Sequence, residues 1–280
     1  MNILRFLQTV DRRVIYVLLM LSVTAPFFLS IRLPMRVSPA TEAFYSAIEE
    51  RQPGDFVLLA VDWEAGTRGE NGPQTEAVIT HLMRKKCRFA ILSFAPQSPK
   101  LTQDIVERLG KEYHSVEGVD WINWGYKVDA KNYLKGFVRD IVGVVKTNNK
   151  TEPLTKFPVV MKGIKTASDI KLLVNITPSS VYQTYLQFVA GPLKVPMVVA
   201  PTSVMVPEVF NYLDSKQISG MMPGLPGAGE YEGKLGTNTK VTRFANSASF
   251  AHILIIFFII MGNVAMLLER RQNARLGGRA

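Results

Sequence analysis

Cysteine is almost absent: Cys87 is the only one in 280 residues, so no disulfide can form within the chain and no metal site can rest on several thiolates. Histidine is nearly as scarce. His81, His114 and His252 show no ligand spacing, which argues against a histidine-based zinc site. The chain also lacks G-x-x-x-x-G-K-[ST], a G-x-G-x-x-G after a strand, and the G-x-S-x-G elbow of α/β hydrolases. No catalytic residue, cofactor or metal follows from the sequence.

Charge is missing from two long stretches, residues 14–31 and 250–268, each about long enough to cross a hydrocarbon core. The first could also serve as the apolar region of a signal peptide. Its best small-residue site, Val23-Thr24-Ala25, is followed by Pro26, which disfavours cleavage, so an uncleaved anchor is expected. The sequence thus divides into a tail at 1–13, a first transmembrane helix at 14–31, a domain at 32–246, a second transmembrane helix at 247–268 and a basic tail at 269–280.

Basic residues then set the orientation. Arg5, Arg12 and Arg13 precede the first apolar stretch, and Arg270, Arg271, Arg275 and Arg279 follow the second. Lys and Arg are retained on the cytoplasmic side of short flanks, so both termini are expected there and the domain on the extracytoplasmic side. Arg32, Arg36, Lys234, Lys240 and Arg243 weaken the bias and leave a cytoplasmic domain as the competing topology. The net charge of +10 sits partly in these tails, where anionic lipid accounts for it, and no motif points to nucleic acid.

Between the anchors, apolar runs of strand length alternate with helical periodicity, the pattern of βαβ units around a mainly parallel, doubly wound α/β sheet. Strands are expected at 56–61, 88–94, 119–124, 170–174 and 195–199. Helices are expected at 38–51, 75–86, 101–113, 133–145, 180–189 and 207–215. The polar segment 148–156 reads as a long loop and a hinge between two halves of the domain. Residues 220–236 combine glycine and proline with apolar Met221, Met222 and Leu225, and read as a packing segment at the membrane surface or a subunit contact.

Ligands of open α/β sheets bind outside the carboxyl ends of the strands. The candidates there are Asp62, Glu64, Ser93, Asn123, Tyr126, Asn175, Thr177, Ser180, Thr202 and Ser203. Residues of these types after a strand equally suit helix capping. In the second apolar stretch, Gly262 and Asn263 form a small polar patch that suits a helix or subunit contact.

Three functions remain in view. The first is a non-enzymatic scaffold or accessory subunit of a larger membrane assembly, with the bilayer and other subunits or self-association as partners. The second is an extracytoplasmic domain that binds or senses a small ligand and couples to a transporter or receptor. The third is a metal-assisted hydrolase around Asp62 and Glu64.

Overall fold

The computed structural model describes the backbone of residues 11–28, 36–237 and 240–277. The chain divides into two compact units, one of Met35–Thr237 and one of Met1–Pro34 with Asn238–Ala280.

The first unit is an α/β fold, a six-stranded parallel sheet flanked by helices. Its strands are β1 (Phe56–Val61), β2 (Arg88–Ser93), β3 (Trp121–Tyr126), β4 (Leu172–Thr177), β5 (Met197–Pro201) and β6 (Gly220–Met221), in the order β3-β2-β1-β4-β5-β6. Strand direction of build-up reverses between β1 and β4, which makes that junction the topological switch point. All six residues of β1 and of β4 are buried, which is why these runs are apolar throughout instead of alternating. The core spreads over both faces. Phe56, Leu58 and Ala60 of β1 pack in one cluster with Leu134, Phe137, Tyr182 and Val209, while Val57, Leu59 and Val61 point the opposite way.

The helices of this unit are α2 (Pro39–Glu49), α3 (Arg68–Arg84), α4 (Ser98–Tyr113), α5 (Ala130–Phe137), α6 (Ile141–Val145), α7 (Val181–Tyr185), α8 (Gly191–Leu193), α9 (Val206–Asp214) and α10 (Gly224–Leu235). Ser38 caps α2 and Pro39 occupies its first turn, as the sequence suggests. Three expectations change. Helix α3 begins at Arg68, ahead of Pro73, because its glycine-rich first turns are held by buried Asn71 and Gln74. The helix expected over 133–145 is broken into α5 and α6 at Asp140, whose carboxylate accepts from the Gly143 N–H at 2.8 Å and starts a new helix. Segment 148–156 is no hinge between halves: buried Leu154 and a Thr147–Pro153 bridge dock it onto the one compact unit. Between α7 and α8 the chain makes a π turn, Leu186–Ala190, in which the Gly191 N–H bonds the Leu186 carbonyl five residues back.

Segment 220–236 becomes β6 and α10. Met221 and Met222 are buried in the interior of their own unit, and Leu225 is half-buried, so the methionines serve the core and not an outward contact. Gly220 is required by close approach: a Cβ there would lie 2.6 Å from the Phe44 Cα on α2.

In the second unit, α1 (Arg12–Phe28) packs against α11 (Lys240–Gly277). The less exposed positions are Ile15, Leu19, Ser22 and Ala25 on α1 and Phe250, Ala251, Leu254, Phe258, Met261 and Ala265 on α11; apart from the adjacent pair at 250 and 251 they recur every three or four residues and mark the seam. Among the described residues one helical stretch, Phe250–Leu268, is long and apolar enough to cross a membrane. Helix α1 is described over 17 residues only, and the remainder of the expected first span lies outside the described residues. Gly262 and Asn263 are exposed, whereas Ala265 is buried on α1. The small polar patch therefore faces away from the seam.

Candidate functional site

The strand ends at the switch point converge on Asp62, the residue after β1. Its side chain is buried, and its carboxylate accepts from the Phe94 N–H at 2.6 Å and the Asn175 side-chain amide at 2.8 Å. Asn175 also donates to the Ala60 carbonyl at 3.2 Å, tying β4 to β1. Burial pushes the Asp62 carboxyl up to about 7; the Phe94 and Asn175 bonds, with lesser help from Tyr185 and Ser93, oppose that shift without cancelling it. The fully buried Tyr185 hydroxyl lies beside the carboxyl without reaching full hydrogen-bond geometry. Its own ionisation is pushed far upward by burial and by the Asp62 charge.

Aromatic rings fill the space above this carboxyl. Phe94 packs on Tyr133 and on Tyr185, each at a centroid distance of 5.6 Å, and Tyr133 stacks on Phe137 at 6.1 Å. Phe94 and Tyr133 are half-buried and Tyr185 is fully buried, so this aromatic group stands beside the Asp62 carboxyl at the carboxyl ends of the strands.

Four of the other strand-end polar residues, Ser93, Asn123, Thr177 and Ser203, are engaged internally. Ser93 bonds the Ala95 backbone, accepting from its N–H at 2.9 Å and donating to its carbonyl at 3.1 Å. Asn123 donates to Gln103 at 2.8 Å and accepts from the Gly125 N–H at 2.9 Å, which pins α4 to β3. Thr177 accepts from the Ser179 N–H at 3.0 Å in a local turn. Ser203 donates through both its N–H and hydroxyl to Glu70, at 2.8 and 2.6 Å. Thr202 is buried with its hydroxyl unpartnered. Glu64, Tyr126 and Ser180 are exposed, and Ser180 starts α7 without a side-chain cap. The structure therefore brings Asp62, Ser93 and Asn175 together and leaves the rest apart.

Asp62 is buried while Glu64 faces solvent, and among the described residues no group of three or more His, Cys, Asp or Glu could hold a metal ion. The chemistry this geometry offers is a buried carboxyl, raised to about 7, beside aromatic rings.

Sequence reasoning missed Gln74. From inside α3 its amide donates to the carbonyls of Pro201, Met222 and Gly224 at 2.9, 3.0 and 3.2 Å, and its oxygen accepts from Asn71 at 2.8 Å. This one side chain gathers the ends of β5 and β6 onto α3. Tyr133 and Tyr185 were missed as well, because helix residues facing a core give no polar signal.

No protein-family model matches the chain, and no curated protein matches it. Among solved structures it is similar to the N-terminal domain of trehalose-6-phosphate phosphatase from Candida albicans, at a TM-score of 0.38 and 9% identity. The likeness covers 81% of this chain and 45% of that one, so the chain spans less than half of that structure, and it carries no argument about function.

Proposed function

We propose that the chain is a membrane-anchored, non-enzymatic scaffold or accessory subunit of a larger membrane assembly, with its α/β unit on the extracytoplasmic side. The observation that carries this reading is the switch point itself: the rings of Phe94, Tyr133 and Tyr185 gather where a doubly wound sheet receives its ligand, and the Asp62 carboxylate, the Ser93 hydroxyl and the Asn175 side-chain N–H groups are bonded to their own chain. Helix α11 supports anchoring, because Ile255, Ile256, Ile259, Ile260 and Leu267 present their apolar side chains outward. The basic flanks of the two apolar stretches support cytoplasmic termini, and the outward Gly262–Asn263 patch offers an amide for another subunit.

The test is the mass of the particle extracted in mild detergent from its native membrane, with co-purifying proteins identified by mass spectrometry. A defined assembly larger than the 31.2 kDa chain is expected, and Asn263→Leu should shrink it. A lone monomer with nothing bound would sink the scaffold reading. A melting temperature raised by a sugar, amino acid or anion, and abolished by Tyr133→Trp at the crevice, would replace it with the ligand-sensing alternative.

A further inference from the structure

A cavity of about 740 Å³ opens at the amino ends of β5 and β6, at the opposite end of the strands from Asp62. Its size lies within the roughly 300–1,000 Å³ usual for small-molecule sites. Val195, just ahead of β5, Met197, its first residue, and Leu186 give it apolar lining, and Gln187, Lys194 and Lys216 line it as well. No carboxylate belongs to the lining. The neighbouring Glu208 is already held by the Tyr182 hydroxyl at 2.6 Å and by the amide of Gln183 at 2.8 Å.

Two features of the backbone mark the wall of this cavity. The π turn Leu186–Ala190 forms part of its wall, and π turns inside helices are concentrated at functional sites. Lys194 and Lys216 follow the ends of α8 and α9 with φ of +54° and +58°, a left-handed conformation that suits glycine. A helix end alone favours a cation. Left-handed lysines also follow α3 and α6, at Lys86 and Lys146; Lys194 and Lys216 are the two that line one common cavity.

We infer that this cavity binds a small organic anion, with its carboxylate or phosphate group between Lys194 and Lys216 and its apolar body against Leu186, Val195 and Met197. The cation pair supplies charge-assisted hydrogen bonds, and the apolar lining excludes water from one side of the ligand. A free anion and the headgroup of an anionic phospholipid share this chemistry.

The experiment is calorimetric titration of the full chain in nonionic detergent with 2-naphthoate, its neutral counterpart 2-naphthylmethanol, and inorganic phosphate as competitor. Naphthoate is expected to bind about tenfold more tightly than the alcohol, the ratio that one charge-assisted hydrogen bond provides. Phosphate should displace it. The double variant Lys194→Gly, Lys216→Gly keeps the left-handed backbone without strain, so it should fold with an unchanged or raised melting temperature and lose the preference for the anion. Gln187→Trp, at an exposed position on the wall, should block both naphthalene probes. Absence of naphthoate binding, equal binding of acid and alcohol, or a preference that survives in the glycine variant would each overturn the inference. Repeating the titration in phosphatidylcholine nanodiscs with and without phosphatidylglycerol separates the sources. Competition by phosphatidylglycerol supports the inference with a lipid headgroup as ligand, and binding undiminished by it supports the inference with a free anion.

Discussion

At the scale of single residues, the side chain with most at stake is Asp62, because its carboxyl is neutral in the acid range and charged in the alkaline range while staying buried. Its folded value, about 7, lies above the ordinary 3.8, so the folded state holds a proton that the unfolded chain has released. The stability this gives is fully present below pH 3.8 and is lost as pH rises through 7. The whole interval corresponds to roughly 3–5 kcal/mol. Asp62→Asn should flatten this slope and make the domain more stable than the wild type at pH 8, by about 1–3 kcal/mol, because an amide accepts the Phe94 N–H without a buried charge. Asp62→Ala should instead lose about 1–3 kcal/mol at pH 6, since the Phe94 N–H and Asn175 amide lose their acceptor. Denaturant unfolding followed by tryptophan fluorescence measures both, because the three tryptophans, Trp63, Trp121 and Trp124, all lie in the α/β unit. Equal pH slopes in Asp62→Asn and wild type would remove Asp62 as their source. Asp62 was legible in the sequence as the polar end of an apolar strand. Its proton was not, since burial and the aromatic cover come from Phe94, Tyr133 and Tyr185, all far away along the chain.

At the scale of elements, α2, α3 and α10 are joined by a chain of polar contacts that runs from buried His81 and Tyr231 out to the surface. His81 on α3 meets Glu49 of α2 through Nε2 at 2.8 Å and the Tyr231 hydroxyl of α10 through Nδ1 at 2.5 Å, and Tyr45 stacks on its ring at 4.6 Å. Lys85 pairs with Glu49 at 3.2 Å, Lys234 pairs with Glu42 and lies over Tyr45, and Glu230 accepts from Ser38 at 2.8 Å. A neutral ring donates to the carboxylate and accepts from the phenol. Burial lowers the His81 value below 6.5, an effect that Glu49 opposes and that Lys85 and Arg84 reinforce. The folded state thus binds fewer protons than the unfolded chain, and the stability this gives is present above pH 6.5 and lost as pH falls through the folded value. Protonation would turn Nδ1 into a donor and leave the buried Tyr231 hydrogen without an acceptor. Backbone hydrogen exchange in Gly224–Leu235, corrected for intrinsic rates, should therefore quicken between about pH 7.5 and about pH 5.5, and should lose that response in His81→Gln. A response unchanged in His81→Gln would place the sensitivity elsewhere. Five of the six strands could be placed from their apolar runs, since burial of both faces leaves so plain a mark. The clamp could not. A histidine in mid-helix shows only its own helix face, and its partners lie 32 and 150 residues away. Segment 220–236 could be read as a packing segment but not as β6 and α10, because the packing at Gly220 and Gly224 is against Phe44 and Ser203 of its own unit.

At the scale of the whole molecule, the open issue is on which side of a membrane the α/β unit stands, and the chain carries a convenient background for settling it. Cys87 is buried, and burial with the nearby Asp55 carboxylate pushes its thiol up to about 11, so it has neither access nor thiolate to react with a maleimide at neutral pH. The natural chain is therefore silent, and one added cysteine reports its own location. Lys150, an exposed residue in the docked loop of the α/β unit, and Arg275, in the basic tail, are suitable places. With a membrane-impermeant maleimide on sealed right-side-out vesicles, Lys150→Cys should label at once, while Arg275→Cys should label only after the vesicles are opened. Both belong on these sides if the arginines flanking the two apolar stretches dominate orientation. The reverse pattern would place the domain in the cytoplasm, where the opposing flank of Arg32, Arg36, Lys240 and Arg243 would have prevailed. Labelling of both from outside would mean that the chain crosses the bilayer an even number of times between them, or not at all, and would end the reading of Phe250–Leu268 as a simple span between the domain and its tail.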